Sequence, residues 1–197
     1  SDALLIDWDW RKHPNLPWVL CVDWGTGNHN VALMVQVQEN GTWVVADELI
    51  IDECPRGRFR QRLREWISEK GTGPTAAGVD RACPDENGWL RGLHLNTHVR
   101  SCQSPTEQFV RNGLELMRDA MDPAVGPPRL RVARSLRKSH SNMTAGIWQA
   151  LTSYRWRVDR EGNPTGIPFD DNVHDHALDA LRYGLVTTRR DAELHGG

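Results

Sequence analysis

The run Trp18-Val-Leu-Cys-Val-Asp23 constrains the fold most: an unbroken apolar stretch closes on a carboxylate and passes straight into Trp24-Gly-Thr-Gly27. A short, wholly apolar run bounded by turn residues is a strand covered on both faces. It therefore asks for material above and below it. Residues 30–38 form a second strand, Asn40-Gly41 is a hairpin turn, and residues 42–51 form a third, which gives three antiparallel strands. The period then changes. Phe59, Leu63, Trp66 and Ile67 share one side of a helix over 58–70, and a strand over 76–80 ends on Asp80. A small helix over 86–93, a strand over 97–101, a helix over 105–121, a strand over 129–133 and a helix over 142–153 follow. A loop or hairpin over 160–168 leads to a last helix over 175–187. The expected fold is α/β: a mixed sheet, three antiparallel strands then parallel strands, with helices on both faces.

A chain of 197 residues suits one such domain. Residues 1–16, broken by Pro14, read as a linker or tail, residues 17–190 as the domain, and residues 191–197 as a disordered tail. No apolar run reaches the roughly 18 residues needed to cross a bilayer, so no membrane role is expected. Cys21, Cys54, Cys83 and Cys102 lack the short spacing of a zinc or redox motif and read as reduced core thiols.

The net charge of -2 does not announce a nucleic-acid binder, but its distribution is informative. Arginine recurs at Arg56, Arg58, Arg60, Arg62 and Arg64, and again at Arg129, Arg131, Arg134 and Arg137 with Lys138. Acidic residues gather at 47–53 and 170–179. Basic arms around a carboxylate centre suit a protein that grips phosphates and binds metal between them. In the second cluster Arg134, Arg137, Lys138 and His140 lie between a strand and a helix, where side chains reach phosphates. The first run has two readings, a DNA contact or a solvated helix face.

Asp23 and Asp80 repeat one pattern, an apolar strand ending in a carboxylate. An aspartate there costs strand propensity and needs a partner when buried. Each has a structural alternative as a turn or cap residue. In the segment His174-Asp-His-Ala-Leu-Asp-Ala-Leu-Arg-Tyr183, helical spacing puts Asp175 and Asp179 at i and i+4, with His176 beside them. Asp175 as a cap and Asp179 paired with Arg182 are the alternatives there. Oxygen-rich ligands from separate elements suit Mg2+ or Mn2+, and two such ions about 4 Å apart can hold both the attacking and the leaving oxygen of a phosphodiester.

Taken together, Val22-Asp-Trp-Gly-Thr-Gly27, Asp47-Glu-Leu49, Gly78-Val-Asp80 and Asp175-His-Ala-Leu-Asp-Ala-Leu-Arg-Tyr-Gly184 resemble the C-terminal nuclease domain of phage terminase large subunits, over residues 17–187. That resemblance implies an RNase H-like fold, related to RuvC-type resolvases, and an endonuclease that cuts concatemeric double-stranded viral DNA during genome packaging with two Mg2+ or Mn2+ ions. It implies Asp23 and Asp80 as the first metal carboxylates. The third falls among Asp175, His176 and Asp179, with His-x-x-Asp spacing favouring His176 and Asp179 and other terminases favouring the earlier aspartate. It further implies an ATPase motor domain, a portal and a small terminase subunit as partners, in the cytoplasm of the infected bacterial host. No GxxxxGK[ST] motif occurs, so motor activity is not expected of this chain. A Holliday-junction resolvase, or another RNase H-like nuclease, is the alternative enzyme. A binding module with an idle site is the non-enzymatic one.

Overall fold

The computed structural model of the protein describes residues 2–25, 29–80, 82–93, 98–101, 107–122, 126–138, 141, 143–153, 156–158, 160–162, 164–168 and 173–195. Its strands are β1 (Leu5–Ile6), β2 (Trp18–Asp23), β3 (Asn30–Val37), β4 (Trp43–Ile51), β5 (Ala76–Val79), β6 (His98–Ser101), β7 (Leu130–Ala133), β8 (Trp156–Val158) and β9 (Pro164–Pro168). Its helices are α1 (Arg56–Ser68), α2 (Pro84–Arg91), α3 (Glu107–Met121), α4 (Ile147–Ser153) and α5 (Asp175–His195), with a 3-10 turn at Arg134–Arg137.

A seven-stranded sheet runs in the order β1-β7-β4-β3-β2-β5-β6, and β8 and β9 pair separately. β3 is antiparallel to β2 and β4, while β2, β5 and β6, like β4, β7 and β1, pair in parallel. The strands of this sheet other than β3 therefore all point the same way, and their C-terminal ends share one end of the sheet. The β2–β3–β4 meander and the mixed sheet are as the sequence predicts.

Strand alternation divides the core in two. Val19 and Cys21 of β2 join Met117, Ile147, Leu178 and Leu181 from α3, α4 and α5. Trp18, Leu20 and Val22 face the other way, against Phe59, Leu63 and Trp66 of α1 and Leu90 of α2. Helices thus cover both faces, and the same alternation puts Asp23 and Asp80 on the α5 side.

Several boundaries differ from expectation. The segment read as a linker contributes β1, which pairs with β7, and Trp8 Nε1 donates to Gln36 Oε1 at 2.8 Å. α1 starts at Arg56, directly after Pro55, and α2 starts at Pro84, because proline fits the first helical position. α4 starts at Ile147 rather than 142, because the Ala145 and Ile147 amides, which a helix from 142 would bond within itself, go to the Val173 carbonyl and the Glu48 carboxylate. α5 continues to His195, beyond 187 and into the stretch read as a disordered tail. Cys21, Cys54 and Cys83 are buried, and Cys102 lies outside the described residues.

Candidate active site

Close approach of α5 to the sheet builds the site. A Cβ on Gly78 would lie 2.4 Å from the Tyr183 carbonyl oxygen, and one on Gly184 would lie 2.0 Å from Cys21 Sγ. Glycine at both places lets the helix backbone rest directly on β2 and β5. The first turn of α5 then arrives at the C-terminal ends of those strands. β2 and β5 pair in register up to Val22↔Val79, so Asp23 and Asp80 stand side by side one step further on.

His176 Nδ1 donates to Asp23 Oδ2 at 2.8 Å, with both side chains almost fully buried. The other Asp23 oxygen accepts the Gly25 amide at 3.2 Å. Asp80 Oδ1 accepts the Ala82 amide at 3.0 Å. One Asp179 oxygen takes two donors from Arg182, Nη2 at 2.7 Å and Nε at 3.1 Å. The predicted alternatives therefore hold in part: Asp23 and Asp80 do brace turns, and Asp179 does pair with Arg182.

Burial and neighbouring charges shift the protonation of these groups. Burial lowers the His176 pKa, but the bond to Asp23 and the charges of Asp23, Asp175 and Asp179 outweigh it and leave the imidazole raised. Desolvation raises Asp179 against the pull of Arg182, and its 40% exposed side chain gives water access that moderates the shift. Burial first, then the charges of Asp179, Asp23 and Asp80, pushes the Tyr183 phenol up. Asp23, Asp80, Asp175, His176 and Asp179, all predicted from sequence, thus meet at one end of the sheet.

The donor set suits a hard divalent cation in type and place. With Nδ1 bonded to Asp23, a neutral His176 imidazole would present a lone pair at Nε2, which is buried without a hydrogen-bond partner. Among the described residues, however, no three His, Cys, Asp or Glu side chains stand in ligating positions, since Asp23 faces His176 and Asp179 faces Arg182.

Asp47 and Glu48 do not join the site. Asp47 pairs with Lys70, and Glu48 accepts the Ile147 amide at 2.8 Å. Burial pushes the Glu48 carboxyl up to about 7. A neighbouring cluster escaped the sequence reading. His29 stacks on His176 with ring centroids 5.8 Å apart, and its Nδ1 donates to Asp52 Oδ1 at 3.2 Å. Asp52 also takes the Ser141 and Thr144 hydroxyls, tying the segment before α4 to the end of β4. Those hydroxyls, with His29 and the Met143 amide, outweigh desolvation and lower its pKa. Asp52 is one more carboxylate following an apolar strand, a signal hidden in the 47–53 acidic run. The Arg134–Arg137 turn lies at the same sheet end beyond β4, where Arg134 Nε meets Asp7 at 2.8 Å and Arg137 meets Asp2 at 3.9 Å. Lys138 is exposed, and His140 lies outside the described residues.

Sheet order, helices on both faces and an acidic centre at the strand ends define an RNase H-like domain. The chain has the fold of phage large terminase nuclease domains. Against the large terminase (g2p) nuclease domain of bacteriophage SPP1 with bound Mn, the TM-score is 0.65 at 15% identity, covering 94% of this chain and 97% of that one. Against a longer large terminase, from a thermophilic bacteriophage, it is 0.69 at 19% identity, covering 94% of this chain but only 43% of that one. Against the large terminase nuclease of thermophilic phage G20c with bound magnesium it is 0.58 at 12% identity, covering 88% and 82%. The sequence matches no protein-family model and no curated protein.

Proposed function

We propose that this chain forms a metal-dependent endonuclease that cleaves double-stranded DNA during viral genome packaging. The observation that carries this reading is the 2.8 Å contact between His176 and Asp23, which brings the first turn of α5 to the paired ends of β2 and β5. Asp23, Asp80 and Asp179 would hold Mg2+ or Mn2+, two ions in all. Asp179 is taken as the third ligand, with Asp175 on the same helix as the alternative. Bound there, the ions would supply a hydroxide nucleophile and stabilise the departing oxygen. His176 orients the Asp23 carboxylate, and Arg182 fixes that of Asp179. Arg134, Arg137, Lys138 and His140 would contact DNA phosphates.

The bound Mn and magnesium in the SPP1 and G20c nucleases support the metal assignment. The longer large terminase, more than twice the length this chain spans, supports a motor domain elsewhere in the full protein. Portal and small terminase subunit are the further partners, and the infected host's cytoplasm the place of action. Among the described residues no helix is long and apolar enough to cross a membrane. The test is supercoiled plasmid with Mg2+ or Mn2+. The parent nicks and linearises it, EDTA stops the reaction, and Asp23→Asn and Asp80→Asn fold normally but do not cut. Full cleavage by folded Asp23→Asn removes the centre of the proposal, and preference for four-way junctions moves it to a resolvase.

A further inference from the structure

The first arginine run lies on α1, across the sheet from α5, and its first residue reaches the strand end that carries Asp23. α1 buries Phe59, Leu63, Trp66 and Ile67, and Arg56, Arg60 and Arg64 follow one another every four residues along its flank. At the near end, Arg56 Nη2 donates to the Gly25 carbonyl at 3.2 Å, and the Gly25 amide binds Asp23. Further along, the Arg60 and Arg64 guanidiniums each lie 5.8 Å from the centre of the Trp89 ring. Trp89 packs edge-on to Trp24, whose Nε1 reaches Asn87, and the Asn87 amide holds the Asp80 carbonyl at 2.6 Å. Both ends of the platform are therefore tied to the backbone that carries Asp23 and Asp80.

Glu86 is the acid within this group, 3.2 Å from Arg60 and 3.7 Å from Arg56. One carboxylate against three guanidiniums leaves the stripe positive, and Arg60 Nε is buried without a hydrogen-bond partner. A guanidinium steadied on an indole face keeps its fork oriented and loses less freedom on meeting a phosphate. We propose that Arg56, Arg60 and Arg64 form a rail for the phosphate backbone of duplex DNA, leading to the Asp23–Asp80 centre. The proposal rests on the nuclease reading and adds where the substrate lies.

The test measures binding of a fluorescent random-sequence duplex to the full chain in Ca2+, across a series of salt concentrations. A lost phosphate contact flattens the log–log salt slope by about 0.9 and weakens binding about eightfold at 0.1 M salt. Arg64→Gln, at an exposed position with no ion pair among the described residues, is expected to show one such loss. Arg60→Gln/Arg64→Gln is expected to show two, about sixtyfold, and Arg64→Lys is expected to restore most of the slope. Arg58→Gln, on the opposite flank, leaves the slope unchanged. Parent-like slope and affinity in folded Arg64→Gln and in the double variant overturn the rail, as does an equal loss in Arg58→Gln. Plasmid cleavage by the parent is scored separately: a parent that cuts while the slopes stay unchanged keeps the nuclease reading and loses the rail. A parent that binds through the rail but never cuts does the reverse.

Discussion

Replacing Gly78 with alanine tests whether the site depends on how closely α5 lies on the sheet. The new Cβ would meet Tyr183 O at 2.4 Å, its carbonyl carbon at 2.5 Å and Gly184 Cα at 2.6 Å, all backbone atoms. Carbon atoms prefer about 3.5 Å or more, so the helix must rise by about 1 Å. Its backbone is held by its own hydrogen bonds and moves as a rod. His176 lies two turns away on that rod, and a rise of about 1 Å would carry its Nδ1 out of hydrogen-bond range of Asp23. Overpacking of this kind costs about 1–3 kcal/mol. At about 2–4 °C per kcal/mol for a chain of this size, Tm should fall by roughly 2–12 °C. A misplacement of about 1 Å in a catalytic group costs on the order of a hundredfold in rate. Thermal melting and plasmid cleavage read the two effects. Gly184→Ala makes a control, because its clash is mainly with Cys21 Sγ, so Cys21→Ala should partly rescue it. Gly78→Ala with the parent's Tm and cleavage rate would refute the argument.

Among the α5 carboxylates, Asp179→Asn should lose nearly all cleavage and Asp175→Asn a minor part; the reverse order assigns the third ligand to Asp175. Glu48 gives a pH effect on stability. Its pKa is raised from 4.5 to about 7 in the fold, so the unfolded chain releases its proton first, and stability falls as pH climbs between those values. Melting across that range should show a steeper decline in the parent than in Glu48→Gln, and equal slopes in the two contradict the burial argument. Charge reversal at Arg134, Arg137 and Lys138 should flatten the salt slope of DNA binding by about one per contact. An unchanged slope leaves Arg134 and Arg137 as partners of Asp7 and Asp2 alone.

The parts of the fold visible in sequence are those whose signal is local. β2, β3 and β4 carry an unbroken apolar run, an Asn-Gly turn and strand alternation, and α5 carries a helical repeat, so Asp23, Asp80, Asp175, His176 and Asp179 could be placed in advance. β1 could not, because two residues have no period and their partners Val132 and Ala133 lie more than half the chain away. Nor could the His29–Asp52–Thr144 cluster, which joins three loops through side-chain bonds that leave no spacing to read. Pairing of Arg134 and Arg137 with N-terminal acids was hidden for the same reason. Charge runs show in sequence, and their counter-ions do not.

β1 also decides where this domain can be trimmed. A version starting at Pro17 would strip β7 of its neighbour and open a row of unpaired amides and carbonyls along that edge. Gln36, 1% exposed, would lose both the Trp8 indole and the His13 carbonyl that satisfy its amide. Arg131 would lose the Ala3 carbonyl and Arg134 the Asp7 carboxylate. A bare edge of this kind recruits strands from other molecules. The shortened protein should therefore associate edge to edge and fall out of solution, even with Asp23, Asp80 and Asp179 in place.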